Sequence, residues 1–332
     1  MHFICIIASM VNKYIKRGLE SVLIKAAQEF PAVVLTGPRQ SGKTTLLKHL
    51  FEDSYHYVSL EPPDIRVAAE NDPRGFLDMY ETPVIFDEIQ YAPTLLPYIK
   101  EQIDAHRDTP GQYLLTGSQN ILMTEHITES LAGRAAMLKL LPLSYREILG
   151  CPDAPLPWET SSALDRRHIS ARNLWKQLLR GGYPELAAHP KRDVSLWHSS
   201  YIQTYLERDV RTLRQVGDLT TFQNFLRALA ARNGQILNLT EVARDLGVAV
   251  NTAKSWISVL EATFQILVLR PYFGNIGKRL VKSPKVYFTD IGTLCYLAGL
   301  KDPEHAAKGH MGGAIDDVPT VVGGFDGSSV FS

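Results

Sequence analysis

Short apolar runs alternate with amphipathic stretches through the first 150 residues of the chain. The runs have the length of buried strands, and the stretches between them have the length and spacing of helices. The apolar runs are Ala32–Thr36, Tyr57–Leu60, Val84–Asp87, Tyr113–Thr116 and Met137–Leu141. The amphipathic stretches are Thr44–Phe51, Pro63–Tyr80, Pro93–His106 and Gln119–Leu131. This alternation indicates βαβ units, so we expect an α/β fold with a doubly wound sheet of five parallel strands.

The pattern changes after residue 150. Cys151–Ala163 is rich in Pro and Ser, which is typical of a linker. Two helical patterns follow, over Arg172–Arg180 and Trp197–Leu213, and the turn-rich Gly181–Pro184 separates them. We therefore expect a helical region between the linker and the next unit.

The stretch Leu219–Phe273 predicts a winged helix-turn-helix. A helix around Thr221–Ala231 is followed by a short helix that begins after Thr240, its expected N-cap, and ends before Gly247, its expected C′ residue. A third helix is expected over Val248–Thr263 and a strand over Phe264–Tyr272. Two short helices joined by a Gly turn and followed by a strand have the outline of that motif.

Composition narrows the function classes only slightly. The 332 residues are 45% hydrophobic and 21% charged, and 35 basic side chains balance 35 acidic ones. A net charge of zero gives no overall attraction to nucleic acid or to an acidic membrane. The apolar run Phe3–Ala8 is far shorter than the ~20 residues that a membrane span needs, so we expect no membrane segment.

The cysteines favour a reducing compartment. Cys5, Cys151 and Cys295 are scattered, so they form neither a disulfide framework nor a CxxC metal pair. We therefore expect a cytoplasmic protein.

A complete phosphate-binding motif lies between the first predicted strand and the first predicted helix. Gly37–Thr44 reads GPRQSGKT, which matches G-x-x-x-x-G-K-[ST]. Backbone N–H groups of such a loop surround the phosphates, the lysine reaches the β- and γ-phosphates, and the threonine hydroxyl can bind Mg²⁺. We expect a nucleoside triphosphate and Mg²⁺ as the cofactors. The residues expected to bind the nucleotide are Gly37, Pro38, Arg39, Gln40, Ser41, Gly42, Lys43, Thr44 and Thr45.

The third predicted strand ends in two acids, Asp87 and Glu88. Behind a phosphate loop, we expect Asp87 to hold Mg²⁺, with Thr44, and Glu88 to polarise the attacking water. The alternative is that these acids cap the element that follows. The fourth strand is followed by Ser118, which we expect to align that water, with Thr116 and Asn120 as further candidates. Ser118 or Asn120 can equally be a helix N-cap.

A basic residue precedes the fifth predicted strand. Arg134 is a candidate for countering charge that develops on the γ-phosphate, either in its own subunit or in a neighbouring one. It can also be a surface arginine or a member of an ion pair. Within the loop, Arg39 is expected to line the site as a cation.

Together these motifs resemble a family of prokaryotic AAA-type ATPases, in which a P-loop domain is joined to a C-terminal domain of unknown function. The stretches that carry the resemblance are Gly37–Thr45, Phe86–Gln90, Leu115–Ser118, Leu131–Arg134, Leu141–Ser144, Gly181–Glu185, Tyr205–Val210 and Tyr287–Gly292. The resemblance implies an AAA/ASCE-type sheet with an added strand between the loop strand and the Asp-Glu strand. It also implies adenine as the base, then a helical and winged-helix section, and finally a nuclease-like fold.

The end of the chain departs from that family. Its members continue well past the equivalent of Ile315, whereas this chain ends within seventeen residues of it. We therefore expect a truncated nuclease-like remnant without nuclease activity, in which a strand at Tyr287–Asp290 lacks its neighbours. The predicted segments are an extension (1–13), the ATPase domain (14–150), a linker (151–165), a helical region (166–218), a winged-helix domain (219–273) and the remnant with a loose tail (274–332).

Three functions compete. The first is an ATP-hydrolysing motor or switch whose winged helix contacts DNA or a protein through Thr252, Lys254 and Ser255, with Arg244 nearby; that helix can also serve only for packing. The second is a nucleotide-gated interaction protein with little turnover. The third, a small-molecule kinase, is disfavoured because a kinase must exclude the water that Glu88 would activate. A homo-oligomer is compatible with a role of Arg134 in a neighbouring site.

Overall fold

The computed structural model describes residues 14–118, 130–154, 170–206, 219–271 and 283–308. Five strands form one parallel sheet in the order β2-β3-β4-β1-β5. They are β1 (Ala32–Thr36), β2 (His56–Ser59), β3 (Val84–Asp87), β4 (Tyr113–Gly117) and β5 (Ala135–Lys139). The predicted α/β class and the added strand β4 between β1 and β3 are confirmed.

The central strands form where buried apolar residues are continuous. All residues of β1, β3 and β4 are buried, as expected for strands with helices on both faces. Two strands begin earlier than predicted, β2 by one residue and β5 by two.

Helices cover both faces of the sheet. They are α1 (Glu20–Glu29), α2 (Lys43–Phe51), α3 (Pro63–Asn71), α4 (Pro73–Asp78), α5 (Leu96–Ala105) and α6 (Tyr145–Ile148). Two 3₁₀ turns, Ile89–Tyr91 and Pro93–Leu95, precede α5. Helices α1 and α2 share a core with Val33, Leu35 and Ile85. The opposite face packs Val34, Phe86 and Leu115 against residues of α4 and α5.

The single helix predicted over Pro63–Tyr80 is wrong, because the structure has two helices there. Helix α3 ends at Asn71, and α4 begins at Pro73. Proline lacks the N–H that a continuous helix needs. The side chain of Asp72 also accepts a hydrogen bond from Gly75 N at 3.0 Å, which caps the second helix. Most of the helix predicted over Gln119–Leu131 lies outside the described residues.

The second half of the chain is mostly helical. It contains α7 (Ala171–Arg180), α8 (Pro184–Ala188), α9 (Val194–Tyr201), α10 (Leu219–Ala230), α11 (Leu239–Asp245), α12 (Val250–Ala262), α13 (Ile291–Leu297) and α14 (Pro303–Lys308). A π-helical turn, Ile202–Leu206, follows α9. The remainder of the helix predicted to reach Leu213 falls beyond the described residues.

Helices α10 to α12 pack with two antiparallel strands, β6 (Ile266–Leu269) and β7 (Lys285–Phe288). This order of elements agrees with the predicted winged helix, which stays a prediction. The predicted N-cap Thr240 is wrong: Asn238 caps α11 by accepting from Glu241 N at 3.2 Å. Gly247 has φ +67° directly after Leu246, the C-cap of α11, as predicted for C′.

The expectation of an unpaired strand at Tyr287–Asp290 is also wrong. Strand β7 pairs with β6, with Ile266 opposite Phe288 and Leu269 opposite Lys285. Val286 and Phe288 are buried in the same core as Phe222, Phe225 and Trp256. Asp290 is not part of the strand but caps α13, accepting from Thr293 N at 2.7 Å. The predicted division at residue 273 stays a prediction, and this pairing crosses it.

The two halves meet through close backbone contacts. Leu143 N donates to Gly182 O at 2.6 Å, and a Cβ atom on Gly182 would lie 2.3 Å from Leu143 O. Gly182 N in turn donates to Asp290 at 2.7 Å. Within the described part of the chain, no helix has the length and apolar character needed to cross a membrane.

Candidate functional site

The loop Gly37–Thr44 lies at the carboxyl edge of the sheet, between β1 and α2. Gly37 and Gly42 have φ values of +151° and +92°, which side chains rarely adopt. A Cβ atom on Gly37 would lie 2.1 Å from the backbone oxygen of Leu140. Both glycines are therefore required for the loop to turn into the helix.

The interior of the loop is suited to an anion. Lys43 is buried, and its Nζ donates to Gly37 O and Pro38 O, both at 3.0 Å. The hydroxyl of Ser41 is buried and has no hydrogen-bond partner among the described residues. An ammonium group, an unsatisfied hydroxyl and the N-terminus of α2 in one loop fit a phosphate group.

A buried ion pair next to the loop holds it in position through a hydrogen bond to Ser41 O. Arg17 Nε donates to Glu147 at 2.9 Å, and the two side chains are only 6% and 9% exposed. The other nitrogens of Arg17 donate to Ser41 O at 2.8 Å and Leu141 O at 2.6 Å. Glu147 also accepts from Ser144 N at 2.6 Å in a capping box at the start of α6. The pair fixes the loop relative to the segment after β5.

Asp87 lies next to the loop and accepts hydrogen bonds from three hydroxyl groups. Thr44 Oγ1 and Tyr57 OH donate to its Oδ2 at 2.8 and 2.7 Å. Thr116 Oγ1 donates to its Oδ1. Burial, and then the bond to Asp87, raise the pKa of Tyr57, so the phenol stays a donor. The structure thus brings Thr44 and Asp87 together as predicted.

These atoms fit the magnesium ion that the fold implies. A threonine hydroxyl and a carboxylate are oxygen ligands, which Mg²⁺ prefers, and Mg²⁺ in proteins is often held by one or two side chains plus substrate phosphates. The described residues contain no group of three or more His, Cys, Asp or Glu that could hold a metal by itself. Thr44 and Asp87 are the residues beside the loop that would hold the ion.

Glu88 follows Asp87 in a left-handed conformation, with φ +60° and ψ +48°. Its backbone N–H donates to Thr116 Oγ1 at 3.0 Å. Its carboxylate accepts from Gln90 Nε2, which also lies 3.3 Å from Ser118 Oγ. Glu88 and Ser118 are thus close together at the carboxyl edge, with Gln90 between them. Their catalytic roles stay predictions, and Asn120 falls outside the described residues.

Arg134 lies at the edge of the sheet opposite the loop of its own chain, which argues against a catalytic role within its own subunit. It precedes β5 at the amino edge of the sheet, and β5 rises about 13 Å from Ala135 to Lys139, which lies beside Thr36. Its guanidinium makes two hydrogen bonds to Asp104, at 2.6 and 2.9 Å. The bond lowers the pKa of Asp104. A role in a neighbouring subunit stays a prediction.

The second half of the chain contacts the loop. Tyr201 OH donates to the backbone oxygen of Arg39 at 3.5 Å, and accepts from Gln265 Nε2 at 3.0 Å. A cavity of about 140 Å³ lies between Gly42 and Thr45 on one side and Pro184 on the other. A larger groove of about 670 Å³, which includes Thr82 and Gln112, lies at the amino edge, away from the phosphate loop.

The residues proposed for DNA contact lie on the surface of α12 or next to it. Lys254 and Arg244 are exposed, whereas Thr252 and Ser255 are partly buried. Arg244 lies 3.8 Å from the carboxylate of Asp245. This arrangement does not test the prediction that these residues contact DNA or a protein.

Sequence reasoning missed four residues of the site: Tyr57, Gln90, Arg17 and Glu147. Glu147 had a readable signal, the S-x-x-E capping box at Ser144–Glu147. Tyr57 and Arg17 had none, because their partners lie 30 and 130 residues away.

Comparison with known proteins agrees with the fold that carries this site. The profile of a family described as an AAA domain matches residues 29–149. A second profile, described as a domain of unknown function, matches residues 171–304.

The curated relatives are uncharacterised. Uncharacterized protein Rv2008c of Mycobacterium tuberculosis is 33% identical over 296 residues, covering 86% of this chain and 60% of its own length. Uncharacterized protein MJ1544 of Methanocaldococcus jannaschii is 23% identical over 256 residues, covering 72% of this chain and 55% of its own length. The chain therefore spans little more than half the length of these relatives.

A solved structure shares the fold. The Walker-type ATPase PABY2304 of Pyrococcus abyssi is 15% identical with a TM-score of 0.55, and the match covers 86% of this chain and 96% of that one. The matched profile, the order of strands in the sheet and the phosphate loop all indicate the P-loop ATPase fold. Residues 29–149 therefore match the AAA domain of P-loop ATPases, as the resemblance of the sequence motifs implied.

Proposed function

We propose that the chain hydrolyses ATP with the help of Mg²⁺ and uses the reaction to change its conformation. The observation that carries the proposal is the contact between Thr44 and Asp87, 2.8 Å apart beside the phosphate loop, with Glu88 as the next residue. A metal-binding pair and an adjacent carboxylate at the end of the same strand are what phosphoanhydride hydrolysis requires.

Each residue has a separate role in this proposal. The loop amides and Lys43 hold the phosphates, and Glu88 takes the proton from the attacking water. Ser118 helps to place that water, as expected from its position beside Gln90. Thr44 and Asp87 would hold Mg²⁺, which would supply positive charge to offset that of the β- and γ-phosphates. Any catalytic role of Arg134 is exercised on a neighbouring copy of the chain.

The small cavity beside the loop is the candidate site for the base of the nucleotide. It is lined by Gly42 and Thr45 on one side and by Pro184 on the other. Its apolar lining residues, among them Leu143 and Pro184, suit a flat base. The identity of the base as adenine rests on the resemblance described above.

The conformational part of the proposal concerns residues 219–288. The hydrogen bonds from Gln265 to Tyr201 and from Tyr201 to Arg39 join this unit to the loop. A movement of the loop on ATP binding can therefore be transmitted through Tyr201 to Gln265, which lies between α12 and β6. We infer that this unit contacts the partner, either DNA or a protein.

The decisive test is Glu88→Gln. If Glu88 is the general base, kcat for phosphate release falls by roughly 10²–10⁴-fold, while ATP affinity stays close to that of the wild type. Glu52→Gln, on an exposed residue just after α2, should change neither quantity. Turnover that survives in Glu88→Gln would contradict the assignment.

The second candidate is a nucleotide-gated interaction protein with little turnover. The contact of Gln90 with the Glu88 carboxylate favours it, because that contact occupies Oε2, one of the two oxygens through which Glu88 could activate water. Steady-state phosphate release separates the two candidates. ATP binding without release by the wild type would support the switch. A salt-dependent shift of labelled duplex DNA would identify DNA as the partner.

A further inference from the structure

Tyr57 contacts the predicted magnesium site although it belongs to none of the sequence motifs. Its hydroxyl donates to Asp87 Oδ2 at 2.7 Å. The same oxygen accepts from Thr44 Oγ1 at 2.8 Å. The phenol and the threonine hydroxyl therefore meet on one carboxylate oxygen.

The fold fixes the position of the ring. In the parallel pair of β2 and β3, Tyr57 lies opposite Ile85, and Ser59 lies opposite Asp87. Tyr57 is thus on the strand adjacent to Asp87, on the face that α2 covers. Lys48 of α2 places its ammonium 3.9 Å from the ring centroid. Because Lys48 follows Thr44 by one helical turn, the same helix holds both the ring and the metal ligand.

We propose that Tyr57 is a positioning residue for the magnesium site. Thr44 donates a hydrogen bond from its hydroxyl to Asp87, which leaves the lone pairs of the hydroxyl oxygen for the metal. Tyr57 orients the carboxylate that accepts this hydrogen bond, and so fixes the orientation of Thr44. Groups that act on metal ligands in this way strongly affect metal affinity. The proposal rests on the function proposed above, since it assumes a nucleotide bound with Mg²⁺.

Tyr55 provides a matched control. It lies two residues before Tyr57, is also half-buried, and packs its ring against Phe51 with centroids 5.2 Å apart. Its hydroxyl lies beside Gly111 and not beside Asp87, since a Cβ atom on Gly111 would be 2.7 Å from it. Tyr55→Phe therefore removes an equivalent hydroxyl from the same part of the fold.

The test measures binding of Mn²⁺, as a probe for Mg²⁺, to the full chain saturated with ADP, by electron paramagnetic resonance. We expect Tyr57→Phe to weaken Mn²⁺ binding roughly tenfold or more. Its ADP affinity in EDTA should equal that of the wild type, and Tyr55→Phe should change neither value. In ATP hydrolysis, Tyr57→Phe should need more Mg²⁺ for half-maximal rate but approach wild-type kcat at saturating Mg²⁺.

Three results would overturn the proposal. Unchanged Mn²⁺ affinity in Tyr57→Phe would do so even if the wild type hydrolyses ATP. If Tyr57→Phe lost ADP affinity in EDTA by as large a factor as it lost Mn²⁺ affinity, Tyr57 would be a structural residue instead. A large drop in the thermal unfolding midpoint would lead to the same conclusion. Failure of the wild type to bind ADP at all would overturn the function on which the proposal rests, and the proposal with it.

Discussion

Charged side chains are buried around the phosphate loop, and their partners explain why they are tolerated. The clearest case is Arg17, whose guanidinium donates to Glu147, Ser41 O and Leu141 O. A buried ion pair of this kind contributes little net stability compared with apolar residues, but removing one partner leaves the other charge without compensation. Its role is to fix the position of the loop.

Arg17→Met should therefore destabilise the protein strongly. We expect the free energy of unfolding to fall by about 3–5 kcal/mol, because Glu147 is left buried and unpaired. Urea unfolding measures this change. The control is Arg74→Met, which breaks a pair with Glu101 whose side chains are 64% and 58% exposed; it should cost no more than about 1 kcal/mol. Equal effects of the two substitutions would contradict this account.

A buried histidine gives the stability a pH dependence. His198 is fully buried, with its ring nitrogens 3.3 Å from Arg180 O and from Thr293 Oγ1. Burial lowers the pKa of His198, and the nearby Asp290 opposes that shift only in part. The native state therefore binds the proton less readily than the unfolded chain, in which the pKa is about 6.5.

It follows that this contribution to stability is fully present above about pH 6.5 and is lost as the pH falls from there toward the lower native pKa. As the pH is lowered below about 6.5, we expect the unfolding free energy of the wild type to fall more steeply than that of His198→Gln. The difference in slope should be at most about 1.4 kcal/mol per pH unit. Urea unfolding at about pH 7.5 and pH 5.5, conditions chosen to bracket the histidine pKa, provides the comparison. Parallel profiles for the two proteins would refute the assignment.

At the level of elements, β7 is part of the core formed by α10 to α12. Phe288 is 6% exposed and lies opposite Ile266 of β6. We expect Phe288→Ala to lower the unfolding free energy by about 3–5 kcal/mol through lost burial and a cavity. Lys285→Ala, on an exposed residue of the same strand, should change it by less than about 0.5 kcal/mol. A small effect of Phe288→Ala would mean that the strand is peripheral.

The elements also show where sequence patterns fail. Strands β1 and β3 were predicted to the residue, because continuous apolar runs with sharp polar ends leave little choice. The break at Asp72 was missed although Pro73 marks it. Strand β7 was predicted but its partner was not, because pairing between β6 and β7 depends on tertiary packing rather than on local pattern.

For the whole molecule, the local part of the site could be predicted and the long-range part could not. The phosphate loop, Asp87 and Glu88 follow from contiguous motifs on adjacent elements. Tyr57 and Arg17 reach the site only through sheet order and domain packing. Arg134 is a different case: residues that precede a parallel strand lie at the amino edge, so its distance from its own loop could have been derived from the predicted strands.

The most direct test of the account is calorimetric titration of the folded full chain with Mg·ATP. The wild type should bind, and Lys43→Ala should bind at least about tenfold more weakly, because it loses a charge-assisted contact to the phosphates. Lys25→Ala, on an exposed residue of α1, should bind like the wild type. No association with the wild type, or full association with Lys43→Ala, would contradict the claim that this loop holds the nucleotide.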